Sequence, residues 1–87
     1  MKIACTESFK KDYRRLPENV RKAAGKQITQ LLLDHAHPSL NLEGVAGHRG
    51  LFSVRIDQRY RISLVFQGDD TILLRRALDH DDLYRTP

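Results

Sequence analysis

Two arginines, Arg55 and Arg61, stand on either side of a short polar stretch, Asp57-Gln58-Arg59. Both flanking segments alternate. Phe52, Val54 and Ile56 oppose Ser53 and Arg55; Tyr60, Ile62, Leu64 and Phe66 oppose Arg61, Ser63 and Val65. Such alternation predicts two half-buried strands, and a tight turn would make them a hairpin with both arginines on one face. Their side chains would then lie within roughly 5–8 Å of each other. Like charges at that range repel, and an anionic partner relieves the repulsion; a guanidinium meets phosphate or carboxylate through two parallel hydrogen bonds. His80 directly follows the last predicted strand, where an imidazole can act as general acid or base. Asp79, Asp81 and Asp82 around it favour the protonated form and so an acid role. Tyr84 can stack on a base or donate its phenol proton. The competing readings are structural: a solvated sheet face with Asp57 or Asp79 as counter-charges, a surface histidine, and a Tyr84 that anchors the C-terminal segment.

Other reactive residues carry less. His35, His37 and His48 lie in or near irregular segments, with no second cysteine and no helical His-Glu-x-x-His motif, so no metal is expected. Cys5 sits in an apolar segment without an adjacent base and reads as a structural thiol. No phosphate-binding glycine motif or nucleophile elbow occurs, and no cofactor is implied.

Fifteen Lys+Arg against eleven Asp+Glu give a net charge of +4 in 87 residues, a balance suited to nucleic acid or an acidic protein. Every lysine lies at or before Lys26, whereas all the Lys/Arg positions from Arg49 onward are arginine. Between Arg49 and Arg61 four arginines face one acid, Asp57. Arg49, Arg59, Arg75 and His48 are the candidate phosphate-binding residues beside Arg61, Arg55, His80 and Tyr84. A chain of this length forms one domain, residues 1–87, with a stability of roughly 4–13 kcal/mol. No unbroken apolar run exceeds three residues, which excludes a membrane-spanning helix. A single cysteine excludes a disulfide scaffold and makes the cytoplasm the expected compartment.

The elements that must position these residues follow from periodicity. Residues 1–6 read as a short strand, and Thr6 or Ser8 caps a helix whose buried stripe is Phe9, Tyr13 and Leu16. Pro17 suits the first turn of a second helix, Glu18 to Asp34, with the stripe Val20, Ala23/Ala24, Gln27/Ile28 and Leu31/Leu32. Gly25 costs that helix about 1 kcal/mol relative to alanine and is expected to mark a close approach. Residues 40–50 are expected to form an irregular loop. Gln67-Gly-Asp-Asp70 has hairpin-turn chemistry, and Thr71 to Leu78 forms the last strand with Ile72, Leu74 and Leu78 inward. His80 to Tyr84 closes as a turn or one helical turn. The predicted class is α+β, in the order β-α-α-β-β-β: a helical hairpin packed on a small antiparallel sheet. Ser53, Arg55, Arg61, Ser63 and Arg75 would share its open face.

The stretch Gly50-Leu-Phe-Ser-Val-Arg-Ile-Asp-Gln-Arg-Tyr-Arg-Ile62 and the later Leu78-Asp-His-Asp-Asp-Leu-Tyr-Arg85 resemble the RelE/ParE superfamily of toxins from toxin–antitoxin pairs. Phe9-Lys-Lys-Asp-Tyr-Arg-Arg-Leu-Pro17 and the Leu42-x-Gly44 step resemble it too, so nearly the whole chain is covered. The resemblance implies a toxin neutralised by a cognate acidic antitoxin. Its RelE-like branch cuts mRNA on the ribosome, through attack of a 2′-hydroxyl on the adjacent phosphate; its ParE-like branch poisons DNA gyrase without chemistry of its own. Arg61 matches the arginine of the family's Tyr-Arg pair, Arg55 a basic position on the preceding strand, His80 a histidine found after the last strand, and Tyr84 the terminal aromatic. Ser53 and His80 depart from RelE itself, which carries a lysine and a Lys/Arg-rich segment there. Cleavage would then rely on fewer cations and more on His80. The retained His80 and Tyr84 favour the ribonuclease branch over the gyrase inhibitor or an inactive relative.

Overall fold

The computed structural model describes residues 1–87, and its first helix begins where a threonine makes two hydrogen bonds at once. Thr6 has extended dihedrals, and its Oγ1 accepts from Phe9 N at 3.0 Å, capping α1 (Glu7–Arg15). The same hydroxyl donates to Arg75 O at 2.7 Å on a distant strand. Pro17 ends the extended break after α1, and α2 (Glu18–Leu33) starts directly behind it. The strands are β1 (Lys2–Cys5), β2 (Glu43–Gly44), β3 (Phe52–Arg55), β4 (Tyr60–Gln67) and β5 (Thr71–Asp79), followed by α3 (His80–Arg85).

The sheet order is β1-β5-β4-β3-β2. β3, β4 and β5 form the predicted antiparallel meander, and β1 adds a parallel neighbour on β5, so the sheet is mixed. Ile3 and Cys5 register with Ile72 and Leu74 and join the core face. Phe9, Leu16, Val20, Ala24 and Leu31 from the helices meet Val54, Ile62, Leu64, Ile72, Leu74 and Ala77 from the sheet in one buried cluster. This is the α+β arrangement expected from the sequence.

Three local features differ from expectation. The 40–50 stretch is not wholly irregular. A 3₁₀ turn at Pro38–Leu40 is capped by His37, whose Nδ1 accepts from Ser39 N at 3.1 Å, and β2 pairs with the start of β3. Gly47 and Gly50, with φ of 82° and 79°, then supply the left-handed turns that bring His48 and Arg49 back to β3. The inward residue near the end of β5 is Ala77, not Leu78. The ladder shifts between Ser63/Arg76 and Leu64/Leu74, leaving Arg75 as an extra residue in a β-bulge, and everything after it changes face. Finally, Gly25 is not forced by crowding: a Cβ there would meet only Tyr13 Oη, at an ordinary 3.8 Å.

β5 outruns β1, whose pairing ends at Leu74, and α1 closes the remaining edge. Asp12, 6% exposed, accepts Ala77 N at 3.1 Å and takes Arg76 through both carboxylate oxygens, at 2.7 and 3.1 Å. Asp12→Ala leaves a backbone N–H and a guanidinium without partners, so urea denaturation should show a loss of about 3 kcal/mol. Gly25→Ala should show a gain of about 0.5–1 kcal/mol in the same assay, because the helix loses a flexible residue and the new methyl has room.

Candidate functional site

Arg55 and Arg61 are direct partners in the β3–β4 ladder, on the face away from the helical hairpin, as the alternation predicted. Asp57 builds the turn between them. Its Oδ1 accepts Arg59 N and Tyr60 N, both at 2.8 Å, while its backbone carbonyl and that of Tyr60 accept from Arg61 Nη1. One edge of the Arg61 guanidinium is thus held by carbonyls, while its Nε and Nη2 have no protein partner. Neither Arg55 nor Arg61 makes an ion pair. The Asp57 carboxylate is engaged in the turn through Oδ1 and makes no ion pair with either arginine.

The rest of that face is not open. α3 lies against β4 and β5, Leu83 is fully buried outside the main core, and Ser63 Oγ lies 3.5 Å from Pro87 O. Ser53 and Ser63, expected on a solvated surface, are 2% and 0% exposed. The C-terminal segment, with the buried Leu83 on α3, folds back on this side of the sheet. α3 therefore divides the face and separates Arg75 from the Arg55–Arg61 row.

His80 and Tyr84 sit one turn apart on α3 with their rings edge to face, centroids 4.7 Å apart. Arg61 registers with Leu78, two residues before His80, so the helix carrying the imidazole springs from the strand beside Arg61. His80 Nδ1 lies 3.3 Å from Asp81 Oδ1 and its Nε2 is unpartnered, while the His80 backbone N–H donates to Arg59 O at 2.7 Å. Asp79 fixes this junction: Oδ1 caps α3 by accepting Asp81 N at 3.0 Å, and Oδ2 accepts Arg59 Nε at 2.6 Å. Arg59 also stacks over Tyr60 at 5.6 Å. The Arg59 hydrogen bond, then that from Asp81 N, hold the Asp79 carboxyl below its ordinary range, and the same bond raises Arg59. Arg59, grouped by sequence with the phosphate-binding residues, is instead committed to Asp79.

The other half of the basic set gathers across α3. His48, Arg49, Arg75, Arg76 and Arg85 line a groove of about 630 Å³ with Thr6 and Ser8, and no aspartate or glutamate lines it. Arg76 and Arg85 were not singled out by sequence reasoning. The signal for Arg76 was available: two consecutive arginines between Leu74 and Ala77 break the alternation that a regular strand requires. The remaining reactive residues have structural surroundings. His35 packs edge-on to Phe66 at 5.4 Å, His37 caps the 3₁₀ turn, and burial pushes the Cys5 thiol up, against a smaller opposing effect of Lys10. No three His, Cys, Asp or Glu side chains come together as a metal set, and no helix is long and apolar enough to cross a membrane.

No protein-family model matches the sequence, and no curated protein matches it closely enough to count as a relative. Solved structures do match. RelE in the RelB–RelE antitoxin–toxin complex of Methanococcus jannaschii superposes with a TM-score of 0.76 at 24% identity, over 97% of this chain and 99% of that one. The YoeB/ParE toxin of Agrobacterium tumefaciens gives 0.79 at 20% identity, over 92% and 99%. YoeB from the Staphylococcus aureus dimer gives 0.76 at 16%, over 92% and 97%. The fold is thus the one these toxins share, along nearly the full length of each.

The Asp79 shift has a defined acid signature. Its carboxylate favours the folded state above the ordinary aspartate pKa of about 3.9, and that contribution is lost as pH falls through the lower folded-state value. Denaturation midpoints should therefore fall more steeply below about pH 4 in the native protein than in Asp79→Asn, which keeps an N-cap but cannot titrate. Equal acid slopes would show that the pair with Arg59 does not hold in solution.

Proposed function

We propose that this chain is a RelE-like toxin of a toxin–antitoxin pair that cleaves mRNA on the ribosome. The observation that carries the reading is the Arg55–Arg61 row: two neighbouring guanidiniums without carboxylate partners, at the base of the helix that bears His80, on a fold shared with antitoxin-bound toxins. The RelE structures from Methanococcus jannaschii and Pyrococcus horikoshii are complexes with RelB, and YafQ from E. coli with DinJ. An acidic antitoxin is the corresponding partner here, and the chain's net charge of +4 complements it. Ribosome and mRNA are the targets, and the cytoplasm is the compartment in which they meet.

In this mechanism the RNA supplies its own nucleophile. The 2′-hydroxyl gives up its proton to solvent water and attacks the adjacent phosphorus; the O2′–P bond of a 2′,3′-cyclic phosphate forms as the P–O5′ bond breaks. Negative charge grows on the non-bridging oxygens, and the task of the protein is to meet it with donors already in position. Arg61 is oriented for this by the turn carbonyls, which leave Nε and Nη2 for the phosphate. Arg55 supplies the second guanidinium. His80 gives its proton from Nε2 to the leaving oxygen, and Tyr84, against the ring edge, restrains the imidazole. No metal is required in this scheme, since the arginines carry the charge.

Arg61→Gln and His80→Gln should each slow mRNA cleavage in a reconstituted translation reaction by about 10²–10³-fold. Circular dichroism should show both variants folded. Arrest at the native rate in both would remove these residues from the chemistry. On expression, protein synthesis should stop before any DNA damage appears; the reverse order would identify a gyrase-directed toxin.

A further inference from the structure

The bulge in β5 does something that a regular strand cannot. Consecutive strand residues point to opposite faces, so Arg75 and Arg76 should be separated by the sheet, with one of them buried in the core. The extra residue between the Leu64/Leu74 and Ser63/Arg76 pairs keeps both out of the core, and both line the groove between α1, β5 and the 45–51 loop. Bulges that re-aim side chains are over-represented beside binding sites. Arg49 and His48 enter from the glycine-flanked loop and Arg85 from α3. Asp12 holds Arg76 in place, while Arg49, Arg75, Arg85 and His48 make no ion pair and no side-chain hydrogen bond. Arg49, Arg75, Arg85 and His48 thus converge from three parts of the chain without a side-chain carboxylate partner, and an anion from outside would relieve the repulsion among them. Thr6 and Ser8 on the groove wall add neutral polar contacts.

We propose that this groove is a second anion site, which holds backbone phosphates of single-stranded RNA on the far side of α3 from Arg55 and Arg61. The choice of RNA as ligand rests on the function proposed above; the convergence of cations does not. The arginine-rich lining suits phosphodiesters because each guanidinium can take two phosphate oxygens. On this reading the reacting phosphate lies at the Arg55–Arg61 row, and a neighbouring stretch of the same strand crosses α3 to the groove. The groove contributes affinity and register without touching the reacting atoms.

The test uses the full chain and a 2′-O-methyl single-stranded RNA decamer, which binds but has no free 2′-hydroxyl to react. Fluorescence anisotropy gives the affinity over a range of salt concentrations. Arg49→Gln and Arg75→Gln are the variants, since neither side chain holds the fold together; Arg76 is left intact because of Asp12. Each lost phosphate contact should weaken binding about five-fold at 0.1 M salt and flatten the salt slope by about 0.7. The double variant should lose about 25-fold on that basis. A double variant that binds the decamer with native affinity and slope overturns the proposal. So does a native protein that ignores the decamer but binds a polyglutamate peptide in an Arg75-dependent way, which would make the groove a protein-docking surface. Arginine-dependent binding of the decamer by a protein that causes no translational arrest supports the groove and counts against the function proposed above, so the two can fail separately.

Discussion

A single carboxylate, that of Asp12, determines how the helical layer meets the sheet. β5 continues past the end of β1, and a strand edge that continues alone presents backbone donors with nothing to receive them. Asp12 receives one of them, Ala77 N, and with its two oxygens grips Arg76 of the same strand. Thr6 does the reciprocal service for a carbonyl, donating to Arg75 O. α1 therefore takes the place of a sixth strand along this edge, using side chains where a strand would use backbone. The burial of Asp12 is tolerable only because every lone pair that matters has a donor, one of them charged. Arg76 is raised above its ordinary pKa by that hydrogen bond, which outweighs the opposing effect of burial.

The bulge and the edge closure belong together. Without the extra residue at Arg75, the strand would carry Arg76 into the apolar layer beside Ile62 and Leu64, where no partner exists. With it, Arg76 emerges at the strand edge where Asp12 stands, and Ala77, small enough to sit under α1, turns inward in its place. The bulge thus solves a packing problem and, by the same rotation, puts two adjacent guanidiniums on one side. Downstream it exchanges the faces of Leu78 and Ala77, which brings Leu78 into line with Arg61 and aims the chain so that His80 begins a helix over the sheet.

Much of this was legible in the residues, and what was not has identifiable causes. Alternation over 51–66 correctly paired Arg55 with Arg61, because both strands bury one face and a slip by one residue would bury charge. The stripe of α2 and the Pro17 start were equally plain. Period-2 reasoning failed at Arg75-Arg76, where the strand departs from period 2, and so misjudged Leu78. The burial of Ser53 and Ser63 was invisible because the segment that folds back on this side of the sheet, α3 and Pro87, is distant in sequence. Arg59 was misplaced for a different reason: composition counts its charge, but only geometry reveals that Asp79, twenty residues on, neutralises it at 2.6 Å. The pairing of β1 with β5 is a long-range parallel contact, which no local pattern announces.

The distribution of paired and unpaired arginines follows a consistent division. Arg76 and Arg59, next to the strand ends and the edge that hold the fold together, have carboxylates at 2.7 and 2.6 Å. Arg49, Arg55, Arg61, Arg75 and Arg85 have none, although the chain contains eleven acids that could have been set beside them. The acids go elsewhere: Asp57 to a turn, Asp34 to the end of α2, Glu7 and Glu18 to lysines on exposed helix faces. Repulsion among free guanidiniums lowers stability, so a small domain carries such a surface at a real thermodynamic cost. Folding alone offers no return for it. On the function proposed above, a bound RNA does, since it gains in affinity what the free protein forgoes in stability, and the same uncompensated charge would suit the surface to an acidic antitoxin.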